Sequence, residues 1–211
     1  VKSTVTRNDG SGPVTETKLF LNDTQSPYGF TRVLEERTEG GVILASFVHG
    51  PEPISQTRPE GTSYYLSDAH SGVRHLADAN ENLTDGYLYD AFGNIINSSG
   101  ATVNPLLYRG EQWDDAIGQY YLRARYYDPA TARFHRLDPL SGIPSNPVTL
   151  HKYLYAGADP IQMIDPSGES LLTASMAGMG MQAAAQAAKM KADMEQGERI
   201  KGSRFGYGVN S

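Results

Sequence analysis

The chain has 211 residues, with 18 Lys and Arg against 24 Asp and Glu for a formal charge of -6, and no cysteine. That acidity excludes a sequence-independent grip on nucleic acid, which needs a basic footprint, and the absence of thiols excludes a disulfide frame and thiolate metal sites. Hydrophobic residues at 39% and charged residues at 20% argue against a charge-rich disordered chain and against a membrane protein.

Residues 1–7 hold neither an initiator Met nor the apolar stretch of a signal peptide, so the chain reads as a piece of something longer or a processed product. Short β-branched or aromatic runs follow at 18–21, 32–35, 41–48 and 63–66, set apart by Asn22-Asp23, His49-Gly50-Pro51 and Pro59-Glu60-Gly61. Further runs lie at 73–78, 86–90, 94–96, 105–108 and 119–127. Strand signals at this spacing predict antiparallel sheet, and no window before residue 145 sustains a helical period. Residues 142–168 are Pro-rich loop around one apolar stretch, and the composition changes again after Gly168. Residues 170–194 are rich in Ala, Met, Gln and Lys, which predicts a helix capped by Ser170. Met176, Met179, Met181, Met190 and Met194 make a packing stripe on that helix or, in the sharper reading, a membrane-active face.

A repeat carries the excess of tyrosine, 13 against 6 Phe and 1 Trp. One unit contains Tyr87-Leu88-Tyr89-Asp90-Ala91-Phe92-Gly93-Asn94, and another ends in Tyr121-Leu122-Arg123-Ala124-Arg125-Tyr126-Tyr127-Asp128-Pro129. Alternation puts Tyr87 and Tyr89 on one face of a strand and Leu88 on the other, and Asp90 can close an Asx-type turn ahead of Gly93. At these residues the chain resembles the Rhs or YD-repeat family. The first unit looks like the YD repeat itself. Residues 120–134, followed by Leu137-Asp138-Pro139 and Asp165-Pro166-Ser167-Gly168, look like the Rhs repeat-associated core. The resemblance implies strands wound into a spiral β shell, a core segment that plugs it, and a variable effector that begins after the terminal Asp-Pro-x-Gly.

The resemblance also implies self-cleavage at that boundary by two aspartates acting as an aspartyl-protease-like pair. It places Asp138 and Asp165 in that role and the cut between Glu169 and Ser170. Such a pair needs two carboxylates close enough to share a proton. Read from the residues alone, Asp-Pro at both positions makes turns. This chain departs from the family at Ser141, in a longer interval between the aspartates, and in Glu169 where leucine is common. Arg136 reads either as a neighbour that keeps one carboxylate ionised or as a solvated strand arginine. The five histidines show no paired metal spacing, and Trp113 reads as a core anchor.

The fold expected is mainly β, with antiparallel YD-repeat strands ending a spiral shell, a loop-rich plug and a C-terminal helix. The expected division is 1–110 for repeats, 111–168 for the core and 169–211 for a post-core segment. The expected function is encapsulation and delivery of a C-terminal effector by a bacterial protein, secreted or at the cell surface. A non-cleaving adhesion scaffold is the alternative. Expected partners are the rest of the shell, the effector, and a secretion-system or chaperone protein, with the post-core helix able to touch a membrane. Neither nucleic acid, cofactor nor metal is expected for this segment.

Overall fold

Strand runs joined by short turns pair with their neighbours in sequence, because a tight turn leaves no room for any other partner. The computed structural model describes residues 1–8, 13–26, 30–139, 147–169 and 172–173. Strands β1 (Lys2–Asn8), β2 (Pro13–Asp23), β3 (Arg32–Thr38), β4 (Ile43–His49), β5 (Pro53–Arg58), β6 (Gly61–Ser67), β7 (Val73–Ala77), β8 (Leu83–Tyr89) and β9 (Ile95–Ser99) form one antiparallel sheet in sequence order. A second antiparallel sheet holds β10 (Gln112–Asp114), β11 (Gln119–Leu122), β12 (Arg125–Asp128) and β13 (Arg133–Phe134). A last pair joins β14 (Met163–Ile164) to β15 (Leu172–Thr173).

The architecture is mainly β and antiparallel, as the strand signals predict. Three details correct the sequence reading. Residues 119–127, read as one run, fold into a hairpin, because Arg123 takes φ 58° and reverses the chain between β11 and β12. Residues 105–108 are not a strand but part of a strap across the first sheet, ending in the 3-10 turn Tyr108–Gly110. Leu172 and Thr173, placed in the predicted helix, are extended, because pairing with β14 outweighs local helix propensity. Ser170, residues 174–194, the methionine stripe and its membrane contact lie outside the described residues.

Three hairpins share one construction. Asp68, Asp78 and Asp90 each end a strand, and each Oδ1 accepts the amides two and four residues on. These are His70 and Gly72 at 2.9 and 3.0 Å, Asn80 and Asn82 at 2.8 and 2.9 Å, and Phe92 and Asn94 at 2.8 and 2.9 Å. The residue three after each aspartate takes a left-handed φ: 61° at Ser71, 66° at Glu81 and 92° at Gly93. The ladder slips just before each turn, between Leu66 and Ser67, Leu76 and Ala77, and Leu88 and Tyr89. Such slips increase local twist, so a repeated turn produces a repeated rotation.

Two apolar clusters hold the sheets. Ala45, Phe47, Tyr65, Val73 and Leu76 lie on one face of the first sheet under Leu106 of the strap. The strap is fastened by Gln56, which donates to the Val103 carbonyl at 2.9 Å, and by Asp85, which accepts the Thr102 hydroxyl at 2.6 Å. The second cluster is aromatic and contains Tyr89, Tyr108, Tyr120, Tyr127, Phe134 and Tyr155. Tyr87 packs against both clusters and Tyr89 is buried, while Leu88 is exposed, as the alternation requires. Trp113 lies against Tyr120 with ring centroids 4.7 Å apart, which makes it a core anchor.

Three tyrosine hydroxyls meet the Asp90 turn at three successive carbonyls. Tyr108 donates to Ala91 at 2.7 Å, Tyr127 to Phe92 at 2.8 Å and Tyr120 to Gly93 at 2.9 Å. Burial pushes all three phenols above their ordinary pKa, so they stay protonated donors. Gly93 is favoured by its φ and required by a ring of Tyr108 that would lie 2.6 Å from a Cβ. Gly93→Ala should cost about 3 kcal/mol or more, from a left-handed φ and an overpacked ring together. Urea unfolding followed by tyrosine fluorescence measures it.

The turn aspartates also set an acid limit. Burial acts to raise the carboxyls of Asp68 and Asp90, but hydrogen bonds overcome it, from Arg74, His70 and Gly72 in one case and from Asn94 and Phe92 in the other. At Asp78 the side chain and amide of Asn82 lower the carboxyl directly. A folded pKa below the unfolded one means stability present above the ordinary aspartate value of 3.8 and lost as pH falls through the lowered values. Near-UV circular dichroism in an acid titration should therefore show tertiary structure lost below about pH 4. Replacing the three aspartates with Asn should flatten that acid limb.

Candidate functional site

Leu122 pairs with Arg125, so Arg123 and Ala124 alone make the turn of the β11–β12 hairpin. The chain leaves β14 at Asp165, and residues 166–168 lie against that turn. Three successive carbonyls of this segment take donors from three successive residues, the two of the turn and the first of β12. Arg123 donates to Pro166, the Ala124 amide to Ser167 at 3.3 Å, and Arg125 Nε to Gly168. Gly168 has φ 71°, and a Cβ there would collide with the Leu122 carbonyl. The glycine of the Asp-Pro-Ser-Gly motif is thus required by close backbone approach.

Arg125 is 4% exposed, and its guanidinium organises the candidate site. Its Nη2 lies 3.0 Å from Asp138 Oδ2 and 3.2 Å from Asp165 Oδ2, so both sequence-predicted aspartates meet on one nitrogen. Its Nη1 donates to the Lys152 carbonyl at 3.3 Å, and the same carbonyl accepts the Asp138 amide at 2.9 Å. The guanidinium also stacks over Phe134 at 3.7 Å.

Asp165 is buried, and its other oxygen is occupied as well. Oδ1 accepts the Glu169 amide at 3.1 Å and the Ser167 hydroxyl at 3.3 Å. Asp165 therefore shapes its own loop, as the turn reading has it, and shares the Arg125 guanidinium with a second carboxylate. Asp138 is the more open of the two, with its side chain 22% exposed against 5%. Glu169 is held beside Asp165, while Ser170 lies outside the described residues. Where one carboxyl of such a pair carries a proton and the other does not, the two are the parts of a general acid and a general base.

The cation between the two aspartates is Arg125. Arg136 is exposed, as a solvated strand arginine would be. The signal of Arg125 in the sequence is a charge inside an aromatic run, and Arg123 shares it. Arg123 reaches the Glu111 carboxylate at 2.7 Å, where burial pushes that carboxyl up and the guanidinium opposes the rise.

No family model matches the chain. The fold resembles the Rhs shell of the Tc toxin. A TcdB2-TccC3 crystal structure superposes on 79% of this chain with TM-score 0.60 and 15% identity, over 8% of its own length. The Photorhabdus luminescens Tc holotoxin pore matches 80% of this chain with TM-score 0.55 and 14% identity, over 9% of that chain. In sequence, the tRNA3(Ser)-specific nuclease WapA of Bacillus spizizenii is 30% identical over 141 residues, 64% of this chain and 6% of the nuclease. YlbH of Escherichia coli is 36% identical over 97 residues, 45% of this chain and 39% of that protein. The chain thus spans a small part of the nuclease and of both toxin structures.

Removing Arg125 leaves the buried Asp165 and half-buried Asp138 carboxylates without their shared cation. Arg125→Gln should destabilise the chain by about 3–5 kcal/mol, the usual result of stripping one partner from a buried ion group. Adding Asp138→Asn and Asp165→Asn should recover part of the loss, and a denaturant series on the variants checks both.

Proposed function

We propose that this chain is the C-terminal part of an Rhs-type toxin carrier, and that it cuts itself between Glu169 and Ser170. The meeting of Asp138 and Asp165 on Arg125 is the observation that carries this reading. In the reaction one aspartate is ionised and takes a proton from water, and the other is protonated and gives its proton to the carbonyl of Glu169. The tetrahedral intermediate collapses with cleavage of the C–N bond, leaving the Glu169 carboxyl and the Ser170 amine. Arg125 holds the two carboxylates at one place and, through Gly168, holds the loop beside them.

The wider role rests on relatives and fold. The first nine strands would end a shell, the second sheet and the 147–169 loop would form its plug, and the segment after the cut would be released. The end of the first sheet at Ser99 and the start of the second at Gln112 support a division near residue 110, with the core at 111–168 and the post-core segment at 169–211. The likeness to toxin proteins supports a delivered, secreted or surface-displayed bacterial protein, with the rest of the shell, the effector and a delivery or chaperone protein as partners. Nuclease activity, which belongs to the name of a relative matched over 6% of its length, is not extended to this segment.

A second reading is favoured by Asp165 itself. With both oxygens engaged, it serves as a structural clamp in a non-cleaving scaffold. Intact mass of the full chain at neutral pH separates the two. Self-cleavage should give two polypeptides, the second beginning at Ser170, and Asp138→Asn or Asp165→Asn should each leave one chain. The cleavage rate should be bell-shaped in pH, because the chemistry needs one proton shared by two carboxyls. A wild-type chain that stays whole from pH 4 to 8 would leave the scaffold reading in place.

A further inference from the structure

Among the described residues, Arg123 makes four contacts, and they come from three separate parts of the chain. Its guanidinium donates to the Pro166 carbonyl, pairs with Glu111 at 2.7 Å, donates through Nε to the Thr31 carbonyl at 2.9 Å, and lies 4.2 Å over the Phe30 ring. Phe30 and Thr31 lead directly into β3 of the first sheet. Pro166 belongs to the loop that holds Asp165 and Glu169. One planar cation therefore touches the first sheet on one side and the candidate cleavage loop on the other.

The backbone at Arg123 is also unusual. A φ of 58° is a conformation that side chains other than those of Gly, Asn and Asp rarely adopt, and it costs about 1 kcal/mol. Glycine would relieve that cost in a turn made by Arg123 and Ala124. An arginine at this place is explained by its side chain, not by the turn.

We propose that Arg123 is a positioning residue that makes the geometry of the Asp165 loop conditional on the first sheet being folded. With Phe30 and Thr31 in place, the guanidinium is fixed by an aromatic face, a carbonyl and a carboxylate, and it fixes Pro166 in turn. Without them, the same side chain has lost two of its restraints and the loop loses one of the three donors to its carbonyls. Cleavage is thereby confined to a chain whose wall is complete. The structural claim stands on these contacts, while its effect on cleavage rests on the self-cleavage reading above.

The test uses the full chain in an uncut background, Asp138→Asn, and reads amide hydrogen exchange at Glu169. That amide reports the loop because it donates to Asp165 Oδ1 at 3.1 Å and to Ser167 Oγ at 3.2 Å. Arg123→Gly keeps the turn and removes the guanidinium. It should speed exchange at Glu169 by about tenfold or more while amides of β6 to β8 keep their protection. Phe30→Ala should move Glu169 in the same direction from the wall side. Arg123→Lys should recover part of the protection, because an ammonium can reach one acceptor but cannot fork between several.

In the chain with both aspartates intact, Arg123→Gly should slow self-cleavage by roughly 10–100-fold, the scale of a misplacement of about 1 Å. Unchanged exchange at Glu169 in Arg123→Gly, or an equal loosening of the whole first sheet, overturns the proposal. So does a Phe30→Ala chain whose Glu169 exchanges like wild type, or an Arg123→Gly chain that cleaves at the wild-type rate. Should wild type prove uncut, the self-cleavage reading fails, and the exchange measurements still decide whether Arg123 couples the wall to the loop.

Discussion

A tight turn has carbonyl oxygens that no strand can satisfy, and leaving one buried without a donor costs about 1–3 kcal/mol. The second sheet is organised around that constraint, which arises twice. At the Asp90 turn the donors are phenols: Tyr108, Tyr127 and Tyr120 serve Ala91, Phe92 and Gly93 in order. At the Asp165 loop the donors are two guanidinium groups and an amide, serving Pro166, Ser167 and Gly168. The same hairpin, β11 and β12, supplies donors to both. Tyr120 and Tyr127 reach one turn from its body, and Arg123 and Arg125 reach the other from its tip. The position of the repeat relative to the candidate site is therefore set by the hairpin backbone from Tyr120 to Tyr127.

The two ends differ in what they tolerate. Phenols combine a large apolar ring with one polar tip, so the Asp90 end is packed as well as bonded. Tyr127 and Tyr155 stack at 4.0 Å, and Phe134 closes the cluster edge-on at 6.0 Å from Tyr127. The arginine end is held by charge, with Asp138 and Asp165 offsetting one buried cation. Desolvating three charged groups is expensive, so this end adds less net stability than its number of bonds suggests. What it provides is fixed geometry. Phe134 belongs to both ends, since it packs on Tyr127 and carries Arg125 on its face.

Much of the fold was legible because its determinants are local. Asp-x-x-Gly before a strand is a turn wherever it occurs, and Tyr87, Leu88 and Tyr89 sort to faces by alternation alone. The same rule extends to Ser71 and Glu81, which hold the Gly93 position without being glycine and so gave no signal. The β11–β12 turn was invisible for a related reason. Arg123 and Ala124 carry no turn propensity, and the φ of Arg123 is imposed by partners far away in sequence. Asp138 and Asp165 were found through resemblance, whereas Arg125, which joins them, could be found only in three dimensions. Leu172 and Thr173 lie in a sequence that favours helix, and a neighbouring strand edge overrides it.

The β14–β15 pair is short, matching Met163 with Thr173 and Ile164 with Leu172. Its connection contains the bond between Glu169 and Ser170, so hydrolysis there would open the loop without separating the strands. Two residue pairs of antiparallel ladder are far below what stands alone in water. As long as the chain is continuous, the short loop keeps the two strands at high effective concentration. Once it is cut, that advantage disappears and β15 becomes a separate ligand with very weak affinity for β14. The hairpin is in that sense a latch whose strength comes from the covalent bond it encloses. A severed segment would remain in place only through confinement or contacts elsewhere, and its departure would need no further energy input at this point.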